Sequence, residues 1–200
     1  MDPKWTYEAD CIVKGYRCVA GVDEVGMGCL AGPVLAAAVV LNPKDLPQGI
    51  DDSKKLSPKK REALSLEIKK RALAYSIAEA SVEEIDAINI YHAAKLAMKR
   101  AIEGLNLKAD FVLMDGRGSL DISIPHLAIV KGDSLSLSIG AASIIAKVTR
   151  DQFMENCDEK FPGYGFSKHK GYGSVLHRKS LTEKGPTEIH RKSFSWSPVV

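Results

Sequence analysis

Three short apolar runs in this chain each close on an aspartate: "CVAGVD" at 18–23, "FVLMD" at 111–115 and "LAIVKGD" at 127–133. Such runs, stopped by Gly or Asp, read as strands, here "RCVAGVDEV" (17–25), "DFVLMDG" (110–116) and "HLAIVKGD" (126–133). "AYSIAEAS" (74–81) alternates as a strand does, and "GPVLAAAVVL" (32–41) reads as a buried strand, with helix open as the alternative because of its alanines. "SPKKREALSLEIKKRAL" opens with Ser57 as N-cap and Pro58 at the first helical position. Ser81 and Glu84 form a capping box for a short helix, and "YHAAKLAMKRAIEGL" (91–105) repeats apolar residues at helical spacing. "SLSIGAASIIAKVTRDQFM" (136–154) is small and apolar almost all round in its first half, the mark of a central buried helix. "NPKDLPQGIDDSKKL" is a loop, and the tail mixes Gly-Tyr turns with one or two basic helices. The order β-β-α-β-α-α-β-β-α-α predicts one α/β domain over residues 1–200, with a mixed sheet flanked by helices.

The net charge of +3 hides an asymmetry: residues 160–192 hold eight Lys/Arg against Glu183 and Glu188. A basic end on a mildly acidic body fits a polyanionic partner, though a solvated basic helix has the same composition. Cys11, Cys18, Cys29 and Cys157 form no C-x-x-C pair, which argues against zinc and for reduced packing thiols. The longest apolar run falls far short of the ~20 residues of a membrane span. The N-terminus has no signal pattern, so a cytoplasmic protein without membrane association is expected.

The chemical signal lies in where the acids sit. Asp23, Asp115 and Asp133 each follow a strand-like run, and acids at neighbouring strand ends can converge at one edge of a sheet, where α/β folds place ligands. Glu24 adds a fourth carboxylate. Adjacent strand residues face opposite ways, so Asp23 and Glu24 share a site only where the strand ends, and Gly26 and Gly28 allow that. Two unit charges ~4 Å apart repel by roughly 4 kcal/mol at an effective dielectric of ~20, so such a cluster needs protons or cations. Hard oxygen ligands suit Mg²⁺ or Mn²⁺, and two such ions can serve phosphodiester cleavage. Singly, each Asp also reads as a turn or cap residue, Asp133 above all, since a helix follows it.

Taken together, "GVDEVGMGCLAGPV", "DDSKKLS", "LMDG", "VKGDSLSLSIGAASIIAKVTRD", "YGFSKHKGYGS" and "HRKSF" resemble, in order, the motif blocks of type 2 ribonuclease H, from about residue 17 to about 194. The resemblance implies an RNase H-like fold with a catalytic core over about 17–155 and a basic C-terminal helical extension over about 156–200. It implies endonucleolytic cleavage of RNA paired with DNA, including single ribonucleotides within duplex DNA, with Mg²⁺ or Mn²⁺ in a two-ion site, leaving 3′-hydroxyl and 5′-phosphate ends. A role in ribonucleotide removal and RNA primer processing, and a monomer, go with it. The metal ligands and catalytic acids would be Asp23, Glu24, Asp115 and Asp133. Gly26, Met27, Gly28 and Tyr172 would read the ribonucleotide junction, Tyr172 by stacking on a deoxyribose. Lys54, Lys55, Lys147, Arg150, Lys168, His169 and Lys170 would meet phosphates. The family's turn reads G-R-G, whereas this chain has Met27 in the arginine's place. His92 and the remaining histidines read as structural or carry no signal.

Three rivals remain. "GMGCLA" also fits a dinucleotide-binding fingerprint, but Gly32-Pro33 and a β-branched run follow where a helix should open, and two acids would face the pyrophosphate. A hybrid-binding protein weakened in catalysis by Met27 is the second. A ribonuclease HIII-like enzyme is the third, although that family carries an extra N-terminal domain and only about sixteen residues precede the first strand here.

Overall fold

The computed structural model describes residues 2–198. Five strands form one sheet in the order β3-β2-β1-β4-β5: β1 (Val19–Val25), β2 (Val34–Val40), β3 (Ala74–Ala80), β4 (Phe111–Asp115) and β5 (His126–Ile129). The first three pair antiparallel, while β4 and β5 run parallel to β1. The helices are α1 (Thr6–Val13), α2 (Pro58–Arg71), α3 (Val82–Glu103), α4 (Leu137–Lys160), α5 (Phe166–His169) and α6 (Val175–Lys184). The mixed sheet, flanking helices and C-terminal helical region match the expected class.

The alanine run at 36–38 is a strand because both of its faces are covered. Val34, Ala36, Ala38 and Val40 join the core beneath α3, while Ala37 and Val39 pack with Leu64 and Ile68 of α2 and Ile144 and Ile145 of α4. Small side chains on this central strand let helices approach from both sides. The closest approach is at Gly21, where a Cβ would lie 2.1 Å from the backbone of Ser138, so α4 sits directly on β1.

Local differences from the sequence reading have physical causes. The two helices expected between β3 and β4 are both present within α3, parted at the non-helical Asn89 (φ 64°), whose side-chain oxygen accepts the N–H groups of Tyr91 and His92 and so caps the second. The strand expected over 126–133 stops at Ile129, and Asp133 lies in a 3-10 turn, Gly132–Ser134, entered through Lys131 at φ 59°. The helix expected to end at 154 runs to Lys160, across the position where the core was expected to give way to the extension.

Helix α1 was not expected, and it carries Glu8, which is fully buried. One oxygen of Glu8 accepts from the Ser136 hydroxyl at 2.6 Å and from the Ser138 N–H at 2.8 Å, so the carboxylate closes the N-terminus of α4, while its other oxygen has no partner among the described residues. Replacing Glu8 by Ala strands the Ser138 N–H and opens a cavity. Urea unfolding should show a loss of roughly 2–4 kcal/mol, and Glu8→Gln should recover part of it.

Candidate active site

β1 and β4 are parallel neighbours in register Val22 with Met114, so Asp23 and Asp115 come to adjoining strand ends. Alternation then divides the first two acids. Asp23 shares the α4 side with Gly21 and lines the cleft with Ser143, while Glu24 shares the α3 side with Ala20 and Val22. Both still reach one cleft because the chain turns away at Gly26, φ 98°. That cleft, about 380 Å³, is lined by Asp23, Glu24, Asp115 and Asp133, with Val25, Ser53, Lys54, Ser143, Lys147 and Tyr172.

The acids feel one another. Burial and the charges of Glu24 and Asp115 push Asp23 well above the usual carboxylate range. Burial and Asp115 raise Glu24 to about 7, and the same two causes raise Asp133. Asp23 accepts the Glu24 N–H at 2.8 Å and Asp115 accepts the Gly132 N–H at 2.6 Å, so the carboxylates are held by backbone donors. Among the described residues no three His, Cys, Asp or Glu close around a single ion point. The donor chemistry nonetheless fits hard divalent cations: four carboxylates in one cleft carry more negative charge than Lys54 and Lys147 offset, and Lys147 is itself paired with Asp151 at 2.6 Å.

The DDSKKL loop docks on α4 through Ser53 and Ser143, whose hydroxyls lie 3.0 Å apart; this leaves Lys54 at the cleft and Lys55 outward, 3.7 Å from Asp51. Tyr172 is 42% exposed on the cleft wall, and its segment pairs with the glycine turn through Cys29 and through the Leu30 N–H donating to the Gly171 carbonyl at 2.8 Å. Met27 packs toward α3 and lines a small adjoining pocket of about 130 Å³ with Glu24, Tyr91, Lys95, Met98, Asp115 and Arg117. Gly26 needs to be glycine, because a Cβ would strike Arg150 at 2.3 Å. Gly28 does not: its φ is not in the left-handed region and a Cβ would meet nothing within 4 Å.

Several expected phosphate contacts are placed elsewhere. Arg150 is wholly buried, and its guanidinium donates to the carbonyls of Ala31, Pro33 and Lys170, so it is a scaffold residue. His169 is likewise committed: Nε2 faces the Tyr164 carbonyl at 2.9 Å, Nδ1 accepts the Gly171 N–H, and the ring stacks on His177. Lys170 pairs with Glu155 and, with Lys168, lines a separate groove against α2 and α4. The sequence reading missed three contributors. Ser143 sits four residues before Lys147 on the same helical face, a spacing that pointed to it. Arg191 reads in the sequence as one more charge of the basic tail, and the buried His177–His190 pair has no readable pattern.

The ribonuclease HII family model matches residues 20–197. A ribonuclease HII of Myxococcus xanthus is 52% identical over 94% of this chain, which spans 65% of that relative's length. One from Caldicellulosiruptor saccharolyticus is 51% identical over 94% of this chain and 91% of its own. The ribonuclease HII of Archaeoglobus fulgidus, solved in complex with PCNA, superposes with a TM-score of 0.77 at 28% identity, covering 92% of this chain and 98% of that one. The fold is that of an RNase H-like nuclease. The chain belongs to the ribonuclease HII family, a family of ribonuclease H endonucleases.

A carboxyl whose pKa is raised by folding resists ionising in the fold. Its cost is absent below the ordinary carboxylate range and accrues as pH rises from there toward the folded value. Asp23→Asn should therefore raise the melting temperature in EDTA at pH 7.5 by about 2–8 °C, roughly 1–2 kcal/mol for a protein of this size, and the gain should vanish near pH 4. Thermal unfolding at the two pH values checks it.

Proposed function

We propose that this chain hydrolyses the RNA strand of RNA–DNA hybrids and nicks duplex DNA at embedded ribonucleotides, leaving 3′-hydroxyl and 5′-phosphate ends. The observation that carries the reading is the convergence of Asp23, Glu24, Asp115 and Asp133 with Tyr172 in one cleft beside the glycine turn. Asp23, Glu24 and Asp115 would hold two divalent cations, Mg²⁺ or Mn²⁺, with Asp133 completing the set. Such ions supply a water nucleophile at neutral pH and stabilise charge on the leaving oxygen. Lys54 and Lys147 line the same cleft and would meet the scissile strand's phosphates, and Tyr172 presents an exposed ring that would stack on a sugar. Only a 2′-hydroxyl distinguishes RNA from DNA at one nucleotide. The turn supports that task through Gly28, whose bare, open Cα answers no need of the fold and suits close approach of a substrate. Removal of ribonucleotides from DNA and processing of RNA primers are the roles that follow.

The test is a labelled duplex carrying one ribonucleotide. Nicking should require Mg²⁺ or Mn²⁺ and give ends that a ligase can rejoin. Asp115→Asn should lower turnover at least about 100-fold, roughly 2.7 kcal/mol, while binding in Ca²⁺ persists. Binding without cation-dependent nicking would favour a hybrid-binding protein, and wild-type rates in Asp115→Asn would overturn the assignment.

Gly28→Ala separates fold from function. Its melting temperature should stay within about 1 °C of wild type, while affinity for the one-ribonucleotide duplex falls about tenfold, roughly 1.4 kcal/mol. Unchanged affinity would show that the turn is not approached at this residue.

A further inference from the structure

Two arginines lie buried behind the glycine turn, Arg150 at 0% and Arg191 at 3% exposure. Every hydrogen bond found for either goes to a backbone carbonyl. Arg191 donates from Nε to Gly32 at 2.9 Å, from Nη1 to Met27 at 3.0 Å, and from Nη2 to Gly26 at 2.7 Å and Pro33 at 3.3 Å. Arg150 holds Ala31 and Pro33 and reaches the Lys170 carbonyl at 2.8 Å, tying the turn to the tyrosine segment. Burial lowers Arg191 only to about 10, so it is charged at neutral pH. A buried cation is costly where no anion offsets it, and holding a loop closed does not require one.

Peptide geometry shows what the charge achieves. The peptides here are trans and planar, so a C=O and the following N–H point in opposite directions. With the Gly26 and Met27 carbonyls drawn inward onto Arg191, the N–H groups of Met27 and Gly28 are turned the other way. Among the described residues neither has an acceptor, and Gly28 is exposed. A carbonyl bound to a guanidinium also polarises its peptide, which strengthens the N–H at the other end as a donor.

We infer that Arg191, backed by Arg150, is the positioning residue of the ribonucleotide reader: it fixes the Gly26–Met27 and Met27–Gly28 peptide planes so that two amides face the substrate as preset donors to the 2′-hydroxyl oxygen. The inference rests on the junction-reading role proposed above. It places positive charge behind a turn whose front carries the neutral Met27. Lysine cannot reproduce it, because a single ammonium does not span the Gly26, Met27 and Gly32 carbonyls in the plane of a guanidinium fork.

The experiment measures Kd in Ca²⁺ for a duplex with one ribonucleotide and for the same duplex in all-DNA form. Wild type should prefer the ribonucleotide duplex, and Arg191→Lys should lose about tenfold of that preference while its all-DNA affinity stays within about twofold of wild type. Retained preference in folded Arg191→Lys overturns the inference. So does an equal loss on both duplexes, which is what a merely structural role produces. If Arg191→Lys does not fold, amide spectra of the wild-type protein decide: the Met27 and Gly28 N–H signals should shift with the ribonucleotide duplex and not with the DNA one, and unmoved signals overturn it. A wild type with no preference instead sinks the proposed junction reading.

Discussion

Repulsion among Asp23, Glu24, Asp115 and Asp133 is the constraint around which the rest of the molecule is arranged. No side chain would gather four carboxylates unaided, so the backbone does it. Parallel pairing of β1 with β4 fixes two of them, strand alternation sets Glu24 across from Asp23, and the turn before α4 brings in Asp133. Two of them are tied to the frame by backbone donors, Asp23 by the Glu24 N–H and Asp115 by the Gly132 N–H. Burial first, and the neighbouring acids second, raise three of them above the usual carboxylate range.

Helix α4 is the common support. It lies against β1 at Gly21, carries Ser143 and Lys147 into the cleft, and sends Arg150 under the glycine turn. Its buried N-terminus is capped twice, by Ser136 at the Ile139 N–H and by Glu8 from α1 at the Ser138 N–H. A residue near the start of the chain thus stabilises the helix on which both halves of the site depend, although it touches neither.

The features legible in the sequence were those with a local signature. Strand runs ending in acids, the Ser57–Pro58 helix start and the Ser81–Glu84 capping box are all visible within a few residues, and all three recur in the fold. Asp133 was found by the right logic in the wrong element, because "LAIVKGD" looks extended until Lys131 turns left-handed. What escaped was set by distant partners. Glu8 reads as an ordinary surface acid until Ser136 and Ser138 meet it, and nothing in "AKVTRD" distinguishes a buried Arg150 from a phosphate-binding one. The histidines gave no pattern, since their pairing joins residues 177 and 190 through space.

Those histidines complete the support for Tyr172, and their proton positions follow from their partners. The Thr187 N–H donates to His190 Nδ1, so His190 carries its proton on Nε2 and gives it to His177 Nε2 at 3.0 Å; His177 Nδ1–H then donates to the Tyr172 carbonyl at 3.0 Å. The chain works only with both rings neutral, and burial lowers each to about 4. The glycine turn rests on the opposite state, a guanidinium that stays charged up to about 10. Between those limits neither support of the turn–tyrosine wall changes charge. Glu24, at about 7 before any cation binds, does titrate within that window. The two supports of the wall that would contact the sugar therefore keep their charge states across neutral pH, while a carboxylate of the cleft changes its own.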